Sequence, residues 1–331
     1  MKEKIEVTEN EKLTENKSAE SELSTQNKVS SEKPTYCGFV ALIGRPNVGK
    51  STLLNALVKQ KLSITSRKPN TTRNPVIGIT TQANYQTIYV DTPGFQAPGA
   101  IKDLLNQQMN RAIAQQVDSV DVLVWLLDGS IWTTAEDQIL RTIKKANCPV
   151  ILCINKIDEI ANKQQLLPLL QKRATLHDFA VLIPISALKH QQVEELQAEI
   201  QSRLPEGPHH YSADHHTDRG LNFYAAERIR EKIIRQLGDE LPYQTSVIVE
   251  KIEEKNSMFW IHALILVHQQ SQKMIVIGQG GQRLKKIGEQ ARIELEEHLG
   301  CKVVLKLWVR VEPDWFDQPK IMHDLGFDFD S

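Results

Sequence analysis

The chain has 331 residues, and its 40 Lys or Arg against 41 Asp or Glu give a formal net charge of −1. Its length is typical of about two domains, and it contains no run of about 18 apolar residues, which argues against a transmembrane helix. The four cysteines form neither a C-x-x-C pair nor a disulfide framework, which indicates a reducing compartment.

Residues 1–34 are almost entirely polar, with eight Glu, six Lys and no Arg. This composition differs from that of a secretory signal, and a transit peptide would be rich in Arg and poor in acidic residues. Because the segment has too little apolar surface to bury, we expect a disordered polar extension.

A strand-like run at 39–43 leads into a G-x-x-x-x-G-K-S pattern, which a helix-like run at 52–57 follows. This order is what a phosphate-binding loop requires, because backbone N–H groups and the positive end of the helix surround the phosphate oxygens. The loop consists of Gly44, Arg45, Pro46, Asn47, Val48, Gly49, Lys50 and Ser51. Lys50 is expected to reach the β- and γ-phosphates, and Ser51 to ligate Mg²⁺. The chain is therefore predicted to bind a nucleoside triphosphate.

Two further segments complete the predicted phosphate and Mg²⁺ site. The strand-like run 88–90 ends in D-x-x-G, where Asp91 would hold Mg²⁺ through water and the Gly94 N–H would contact the γ-phosphate. In the polar stretch 69–73, Thr72 is favoured over Thr71 as the residue that closes over Mg²⁺ when the γ-phosphate is present. The candidate catalytic residues are Lys50, Thr72 and Gly94, the candidate metal ligands are Ser51, Thr72 and Asp91, and the D-x-x-G contacts are Asp91, Thr92, Pro93, Gly94 and Phe95.

The residue after D-x-x-G bears on the mechanism of hydrolysis. In Ras-like GTPases a Gln at this place orients the attacking water, whereas Phe95 can neither accept nor donate a hydrogen bond. Intrinsic hydrolysis should therefore be slow, unless other groups hold the water. Asn47 is a candidate ligand for K⁺ near the phosphates, and bonding to the loop backbone is an equal alternative for it.

The nucleotide base is predicted from an N-K-x-D pattern at 155–158, which directly follows the buried strand-like run 151–154. A carboxylate at Asp158 can accept from both the ring N–H and the exocyclic amine of guanine, and adenine offers no such pair of donors. We expect Asn155 to tether neighbouring loops and the N–H near Ala187 to meet the guanine oxygen. The predicted base-binding residues are Asn155, Lys156, Ile157, Asp158, Ser186, Ala187 and Leu188.

Residues 205–218 are predicted to form a linker, because Pro, Gly and polar residues interrupt the periodic pattern there. Four histidines in it resemble a metal-binding tract, but no acidic residue or Cys stands at a ligand spacing. We therefore favour a solvated linker. The histidines are His209, His210, His215 and His216.

The last third of the chain is predicted to have the order helix, strand, strand, helix, helix, strand. Apolar residues recur at helical spacing over 221–237, and Gly238 closes the run. Strand-like runs lie at 245–252, 258–268 and 303–311. This order fits a KH module of the second, prokaryotic type. In the acidic tail 312–331, four apolar residues are candidates for packing against this module: Trp315, Phe316, Leu325 and Phe327.

A G-x-x-G loop at 278–281 joins two predicted short helices of this module. Such a loop lets a nucleic-acid backbone approach closely while the bases lie in the adjacent groove. A G-x-x-G alone is more often a simple turn, but residues 271–310 hold eight Lys or Arg against four Glu, a local net charge of +4. Single-stranded RNA needs a basic patch of this kind. The predicted RNA-binding residues are Lys273, Gly278, Gln279, Gly280, Gly281, Arg283, Lys285 and Lys286.

The order G-R-P-N-V-G-K-S, T-T-R, D-T-P-G-F, N-K-I-D and S-A resembles the translation-factor-like GTPases that carry a hydrophobic residue after D-x-x-G. The last third narrows the resemblance to the Era family of bacterial ribosome-assembly GTPases. The motifs there are T-D-R at 217–219, R-E-K at 230–232, L-P-Y at 241–243 and S-Q-K at 271–273. The resemblance covers residues 36–326, nearly everything except the polar extension.

The resemblance implies an α/β P-loop GTPase domain, with a mixed but mostly parallel sheet and flanking helices, followed by a smaller α+β KH domain of type II. It implies GTP, GDP and Mg²⁺ as ligands, and GTP-dependent binding to the 3′ end of 16S ribosomal RNA during assembly of the 30S subunit. We expect domain limits of 36–204 for the GTPase domain, 205–218 for the linker, 219–311 for the KH domain and 312–331 for the tail. Gln279 and Met274 depart from the family, which usually has a basic and a small residue there, and they are expected to soften RNA affinity.

We expect a monomer in the bacterial cytoplasm. The resemblance also implies a loose, peripheral association with the inner membrane, which the residues themselves do not indicate. Two alternatives remain at this point: an RNA-binding KH protein whose nucleotide site is mainly structural, or another translation-factor-class GTPase that acts on tRNA. The tRNA-modification GTPases carry a C-terminal C-x-G-K that is absent here.

Overall fold

The computed structural model describes residues 33–66, 71–94, 119–129, 132–160, 162–237 and 244–326. The predicted disordered extension lies outside this range, apart from its last two residues. None of the helices placed in these segments is both long and apolar enough to cross a membrane. Helices and strands are numbered below in the order in which the described residues form them.

The first domain is built on a six-stranded sheet in the order β2-β3-β1-β4-β5-β6. Only β2 runs antiparallel to its neighbour, and the other pairs are parallel. The strands are β1 (Tyr36–Ile43), β2 (Val76–Gln82), β3 (Tyr85–Asp91), β4 (Val122–Asp128), β5 (Val150–Asn155) and β6 (Val181–Pro184). The flanking helices are α1 (Lys50–Val58), α2 (Thr134–Ile143), α3 (Leu166–Ala174) and α4 (Val193–Gln201). The predicted mixed, mostly parallel sheet is confirmed.

The burial of the central strands explains why their sequences are continuous apolar runs. Every residue of β4 and β5 is buried, as expected for parallel strands covered on both faces. Alternate residues of β1 serve separate cores, since Val40 and Leu42 pack with α1 whereas Ala41 and Ile43 pack with α2. The carboxyl ends of the parallel strands meet at one edge of the sheet, where α/β proteins bind ligands.

The segment between the two domains is mostly exposed, and its backbone also bonds to the first domain. It follows the edge strand β2, where the Ile79 N–H donates to the His216 carbonyl over 2.8 Å and the Thr217 hydroxyl donates to the Ile77 carbonyl over 2.7 Å. Gln86 accepts from the backbone N–H of His210. The backbone pairs because β2 is the outer strand of the sheet that the described residues form. Among the described residues no group of His, Cys, Asp and Glu suits a metal ion.

The second domain has the predicted order of elements. Its three-stranded sheet has the order β7-β8-β9, with β7 antiparallel and β9 parallel to β8. The elements are α5 (Leu221–Gln236), β7 (Thr245–Lys255), β8 (Met258–Val267), α6 (Gln270–Ile277), α7 (Gln282–Leu299) and β9 (Lys302–Val311). The prediction of two short helices around the G-x-x-G is wrong for the second, because α7 has 18 residues and buries Ile287, Ala291 and Leu295 at intervals of four.

The C-terminal segment packs against the second domain. Trp315 is fully buried beside Leu264 and Leu266, together with residues of α8 (Pro319–Asp324). The Trp315 indole N–H donates to the Gln244 carbonyl over 3.1 Å. Phe316 and Leu325 are partly buried in the same cluster, whereas Phe327 lies outside the described residues.

Charged side chains of α5 join the two domains. Glu231 is fully buried, and Lys61 of the first domain approaches it to 2.7 Å. The Arg228 guanidinium, also fully buried, donates to the Leu62 carbonyl over 3.0 Å and lies 3.5 Å from Glu231. Lys61 also pairs with Glu294 of α7 at 2.8 Å. Removing one member of such a buried set leaves an unpaired charge, which is strongly destabilising.

Candidate functional site

The loop between β1 and α1 has the shape that its glycines allow. Gly49 has a φ of 103°, and a Cβ there would lie 2.3 Å from the Asn155 amide nitrogen. A Cβ on Gly44 would lie 2.7 Å from the Leu126 carbonyl oxygen. Asn47 adopts a left-handed conformation with a φ of 65°. The loop therefore needs glycine at both motif positions. It leads directly into the N-terminus of α1, and helix N-termini bind anions.

Lys50 lies inside this loop. Its ammonium group donates to the carbonyls of Gly44 and Arg45 over 3.0 and 3.1 Å, and the side chain is almost fully buried. Burial lowers the pKa of Lys50 to about 8, although the nearby Asp91 carboxylate acts in the opposite direction. Phosphate oxygens bind the charged ammonium. Because the pKa of Lys50 is about 8, the loss of this charge falls in a pH range where nucleotide binding can be measured.

We expect GDP affinity to be independent of pH below about 8 and to fall above it, because binding must then restore a proton to Lys50. The decrease should approach about tenfold per pH unit. Calorimetric titrations between about pH 7 and about pH 9, in buffers of different ionisation enthalpy, would detect the proton uptake. Guanosine is the control, since it shares the base but has no phosphate. Identical pH profiles for GDP and guanosine would contradict this role of Lys50.

The three predicted metal ligands lie together at the end of this loop. The Ser51 hydroxyl donates to Asp91 over 2.7 Å and lies 2.8 Å from the Thr72 hydroxyl, which itself is 3.3 Å from Asp91. The Ser63 hydroxyl also donates to the same carboxylate oxygen over 2.9 Å. Sequence reasoning missed Ser63, because no motif marks its place.

This oxygen cluster fits Mg²⁺. Burial raises the pKa of the Asp91 carboxyl, whereas the charge of Lys50 and the hydroxyl hydrogen bonds lower it. The second oxygen of Asp91 is buried and has no hydrogen-bond partner among the described residues. A hard cation that prefers oxygen ligands, bound directly or through water, would satisfy that oxygen.

The two threonines between which the sequence left a choice have different contacts, and both line the phosphate pocket. The Thr72 hydroxyl lies in the oxygen cluster, whereas the backbone carbonyl of Thr71 accepts from Arg230 of α5. The next residue, Arg73, is nearly buried, donates to the Thr245 carbonyl of β7 over 3.0 Å and lies 5.5 Å from the Trp315 ring centre. Hydrogen bonds thus connect the segment that carries the candidate metal ligand to the second domain.

The rest of the D-x-x-G segment closes over the phosphate loop. The Thr92 hydroxyl donates to the Leu42 carbonyl over 2.8 Å. A Cβ on Gly94 would lie 2.7 Å from the Pro46 ring, so this glycine permits the two segments to touch. Pro93 is buried between them, and Phe95 lies outside the described residues.

The N-K-x-D segment and the loop after β6 form the opposite end of the site. Asn155 donates to the Val48 carbonyl over 2.7 Å and accepts from the Ala187 N–H over 3.0 Å, so it ties three segments together. The Ser186 hydroxyl donates to Asp158 over 2.5 Å. Lys156 pairs with Asp128 at 2.8 Å, which holds its stem across the cavity. Ile157 begins a short 3₁₀ turn that presents Asp158.

The loop after β6 lies beside the base cavity. Its Ala187 N–H donates to the side-chain oxygen of Asn155 over 3.0 Å. The expected contact between an N–H near Ala187 and the guanine oxygen stays a prediction. Leu188 is largely exposed and lines the base cavity with Asp158.

Arg45 of the phosphate loop has ion-pair partners that no motif indicates. Arg45 lies 2.8 Å from the buried Glu136 and 3.4 Å from Asp128, which orients the phosphate loop from outside. Glu136 belongs to the capping box of α2 and could have been assigned only that role from sequence. Arg235 of the second domain also lines the base cavity, as do Thr65 and Ser66.

The G-x-x-G loop of the second domain is a tight 3₁₀ turn between α6 and α7. The φ angles of Gly278, Gly280 and Gly281 are 74°, 56° and 78°, and a Cβ on Gly278 would lie 2.7 Å from the Cβ of Arg283. Nothing lies within 4 Å of a Cβ built on Gly280 or Gly281. The loop therefore presents open backbone to a ligand, and the Arg283 guanidinium stays beside it by donating to the Ile275 carbonyl.

A groove runs from this loop between α7 and the edge strand β9. Leu305 and Leu307 of β9 form its apolar floor, and Lys285 stands on its rim. Gln279 and Lys286 are exposed beside the groove, and Lys273 is partly exposed on α6. Arg292 and Lys302 both lie within 4 Å of Glu296, at 3.0 and 3.6 Å. The C-terminal segment packs on the other face of the sheet and leaves this groove open.

Comparisons with known proteins agree on both domains. A family model described as 50S ribosome-binding GTPase matches residues 39–156, and a KH domain model matches residues 240–316. The chain is 48% identical to GTPase Era of Marinobacter nauticus over 292 residues, which is 88% of this chain and 94% of that protein. It is 45% identical to GTPase Era of Haemophilus influenzae, over 88% of this chain and 97% of that protein.

Two solved structures are similar over both domains. One is Era in complex with MgGDPNP and nucleotides 1506–1542 of 16S ribosomal RNA, with a TM-score of 0.85 and 39% sequence identity. The other is a variant of Aquifex aeolicus Era bound to GDP and AlF₄⁻, with the same TM-score and identity. Each similarity covers 88% of this chain and 99% of the other.

Proposed function

The chain belongs to the Era family of GTPases, and we propose that it is a GTP-hydrolysing switch that binds the 3′ end of 16S ribosomal RNA through its KH domain and assists assembly of the 30S subunit. The description of the model matched by residues 39–156 names the 50S ribosome. The choice of 16S RNA rests instead on the solved Era complex, which is similar over 88% of this chain.

The nucleotide site can perform the proposed reaction with the residues already described. The loop N–H groups and Lys50 would bind the β- and γ-phosphates and offset the charge that develops on the oxygens during hydrolysis. Ser51, Thr72 and Asp91 would hold Mg²⁺, which supplies a further positive charge at the same oxygens. Asp158 would select guanine over adenine. Neither the water-positioning group nor a K⁺ site at Asn47 is assigned.

The groove of the second domain suits a single RNA strand. The open backbone of the G-x-x-G loop admits phosphates, Lys285 and Lys286 supply charge, and Leu305 and Leu307 offer an apolar surface to bases. KH domains clamp about four nucleotides in this way. We propose that the predicted RNA-binding residues make this contact with the RNA strand. We also propose the domain limits given above.

One observation carries the proposal that the two sites work as a switch. Thr72, a candidate metal ligand, directly precedes Arg73, whose guanidinium bonds to β7 and lies against Trp315. A change in Thr72 between the GTP and GDP states would therefore act on the second domain through one peptide unit. Arg230 adds a second link at the Thr71 carbonyl.

We expect RNA of the 16S 3′ end to increase the single-turnover rate of GTP hydrolysis, and Arg73→Gln to lose that stimulation while GTP and RNA affinities stay near the parent values. A coupling of about 1–3 kcal/mol between two sites corresponds to about five- to 150-fold, so the expected loss is at least about fivefold. The rates would be measured with and without RNA.

Arg203→Gln is the matched control, because Arg203 pairs with Glu199 inside the first domain and should leave the stimulation intact. Stimulation that survives Arg73→Gln would contradict the coupling route. Absence of stimulation in the parent protein, together with normal RNA binding, would favour a mainly structural nucleotide site. Preference for tRNA over the 16S 3′ end would favour the alternative GTPase function.

We also propose a monomer in the bacterial cytoplasm that associates peripherally with the inner membrane. The near-neutral net charge of −1 offers no general attraction to anionic lipids, so any such contact would need the local basic patch. Sedimentation with vesicles of anionic and of neutral lipids, at low and high salt, would show whether the protein binds membranes and whether charge attraction causes that binding.

A further inference from the structure

The reverse face of the second sheet carries a cluster of aromatic and basic side chains outside the G-x-x-G groove. Trp308 of β9 is 45% exposed, an unusual exposure for so large an apolar side chain. His262 of β8 lies against it, with ring centres 5.5 Å apart. The Lys306 ammonium lies 5.1 Å from the centre of the Trp260 ring. We refer to Trp260, His262, Lys306 and Trp308 as the aromatic patch.

The strand register places these side chains on one face. Lys306 stands directly opposite His262, and Trp308 stands opposite Leu264. Since side chains alternate along a strand, Lys306 and Trp308 point away from the face that Leu305 and Leu307 present to the groove. Leu264 is covered by the C-terminal segment, whereas Lys306 and Trp308 are exposed.

Strand β9 is therefore shared by two surfaces. Its odd-numbered residues Leu305 and Leu307 line the groove, and its even-numbered residues belong to the reverse face. Because β9 is the outer strand of the β7-β8-β9 sheet, no further strand of the described residues separates the two surfaces at this edge. A flexible polymer lying in the groove can pass over the edge onto the aromatic patch.

The basic side chains of β9 on the reverse face favour a polyanion as the occupant, and Glu253, opposite Trp260, is paired with Lys251 and Lys255. The exposed side chains of β9 on this face are Lys302, Lys306, Trp308 and Arg310. Lys302 and Arg310 have carboxylates at 3.6 and 3.5 Å, whereas Lys306 lies over an aromatic ring. Aromatic rings interleaved with cations on an open sheet are the arrangement on which proteins stack the bases of single-stranded nucleic acid.

We propose that the aromatic patch is a second RNA-contacting surface, on which Trp308 stacks a base of the strand that leaves the G-x-x-G groove across β9. This inference rests on the proposed function, since it extends the path of the same RNA. Lys306 contacts the adjoining phosphate and keeps the Trp260 ring in place.

The test compares two oligoribonucleotides from the 16S 3′ end, one of about five nucleotides that fills the groove and one of about ten that extends beyond it. The parent protein should bind the longer one more tightly. Trp308→Ala should leave affinity for the short oligonucleotide unchanged and lower affinity for the long one by about five- to a hundredfold. Trp308→Phe keeps a ring and should retain most of the gain.

Leu167→Ala is the control, because it removes an exposed apolar side chain from α3 of the first domain, far from the patch. If Trp308→Ala fails to fold, as judged by circular dichroism, Lys306→Glu replaces it and Lys306→Arg is its control. The deciding quantity is the affinity for the long oligonucleotide divided by the affinity for the short one. If this ratio is the same in Trp308→Ala as in the parent, the inference is overturned and the patch is left to a protein partner. A parent that binds neither oligonucleotide refutes the proposed function itself.

Discussion

Asp158→Asn should bind GTP about ten- to a hundredfold more weakly than the parent and should gain affinity for xanthosine triphosphate. The carboxylate accepts from two donors of guanine, and an amide in its place presents one N–H to the exocyclic amine. In xanthine a carbonyl replaces that amine, so the same amide N–H finds an acceptor. The lost charge-assisted contact is worth about 1.5–3 kcal/mol, which sets the size of the effect.

Both affinities would be measured by competition with a fluorescent guanine nucleotide. Glu159→Gln is the matched control, since it removes an exposed carboxylate one residue later that does not line the base cavity. Ser186→Ala adds a second comparison, because its hydroxyl holds Asp158 and its loss should weaken GTP by less. Normal GTP binding by Asp158→Asn would show that the base is recognised by other groups.

The fold could be predicted from sequence where the residues allow only one local conformation. The phosphate loop is an example, because Gly44 and Gly49 stand where a side chain would collide with the chain. The order of elements in the second domain followed from helical and strand periodicity. The length of α7 was not predicted, and its Gly288 lies where a Cβ would contact Leu307 at 3.4 Å.

Contacts between distant segments could not be predicted in the same way. Arg73 belongs to a polar loop with no periodicity, and its partners Thr245 and Trp315 lie far along the chain. Buried pairs such as Lys61 and Glu231 likewise depend on how the domains meet. The hydrogen bonds between the linker backbone and the edge strand β2 were likewise not predicted, although an exposed sheet edge offers unpaired backbone groups.

A chain of net charge −1 can still carry a local excess of positive charge, because residues 271–310 hold eight Lys or Arg against four Glu. Lys285 and Lys286 belong to this segment and are exposed. Composition therefore says little about affinity for RNA here, and the local arrangement decides it.

The double substitution Gln279→Asp with Gly280→Asp should lower RNA affinity about thirtyfold at low salt. Each carboxylate meets a phosphate at a cost of about 1 kcal/mol in water-like surroundings, and two of them give that factor. Both positions are exposed, and a Cβ on Gly280 has nothing within 4 Å. Asp tolerates the left-handed backbone of Gly280 better than most residues do.

Gln279→Asn with Gly280→Asn is the control, because it has the same shape and backbone strain without the charges and should bind RNA nearly as the parent does. GTP affinity should be unchanged in both proteins, since the loop belongs to the second domain and the nucleotide residues to the first. The difference between the Asp and Asn proteins should shrink as salt is added, because screening shortens the reach of the charges. Equal RNA affinity for the two at low salt would mean that no phosphate passes the loop, and the G-x-x-G would then serve only to turn the chain from α6 into α7.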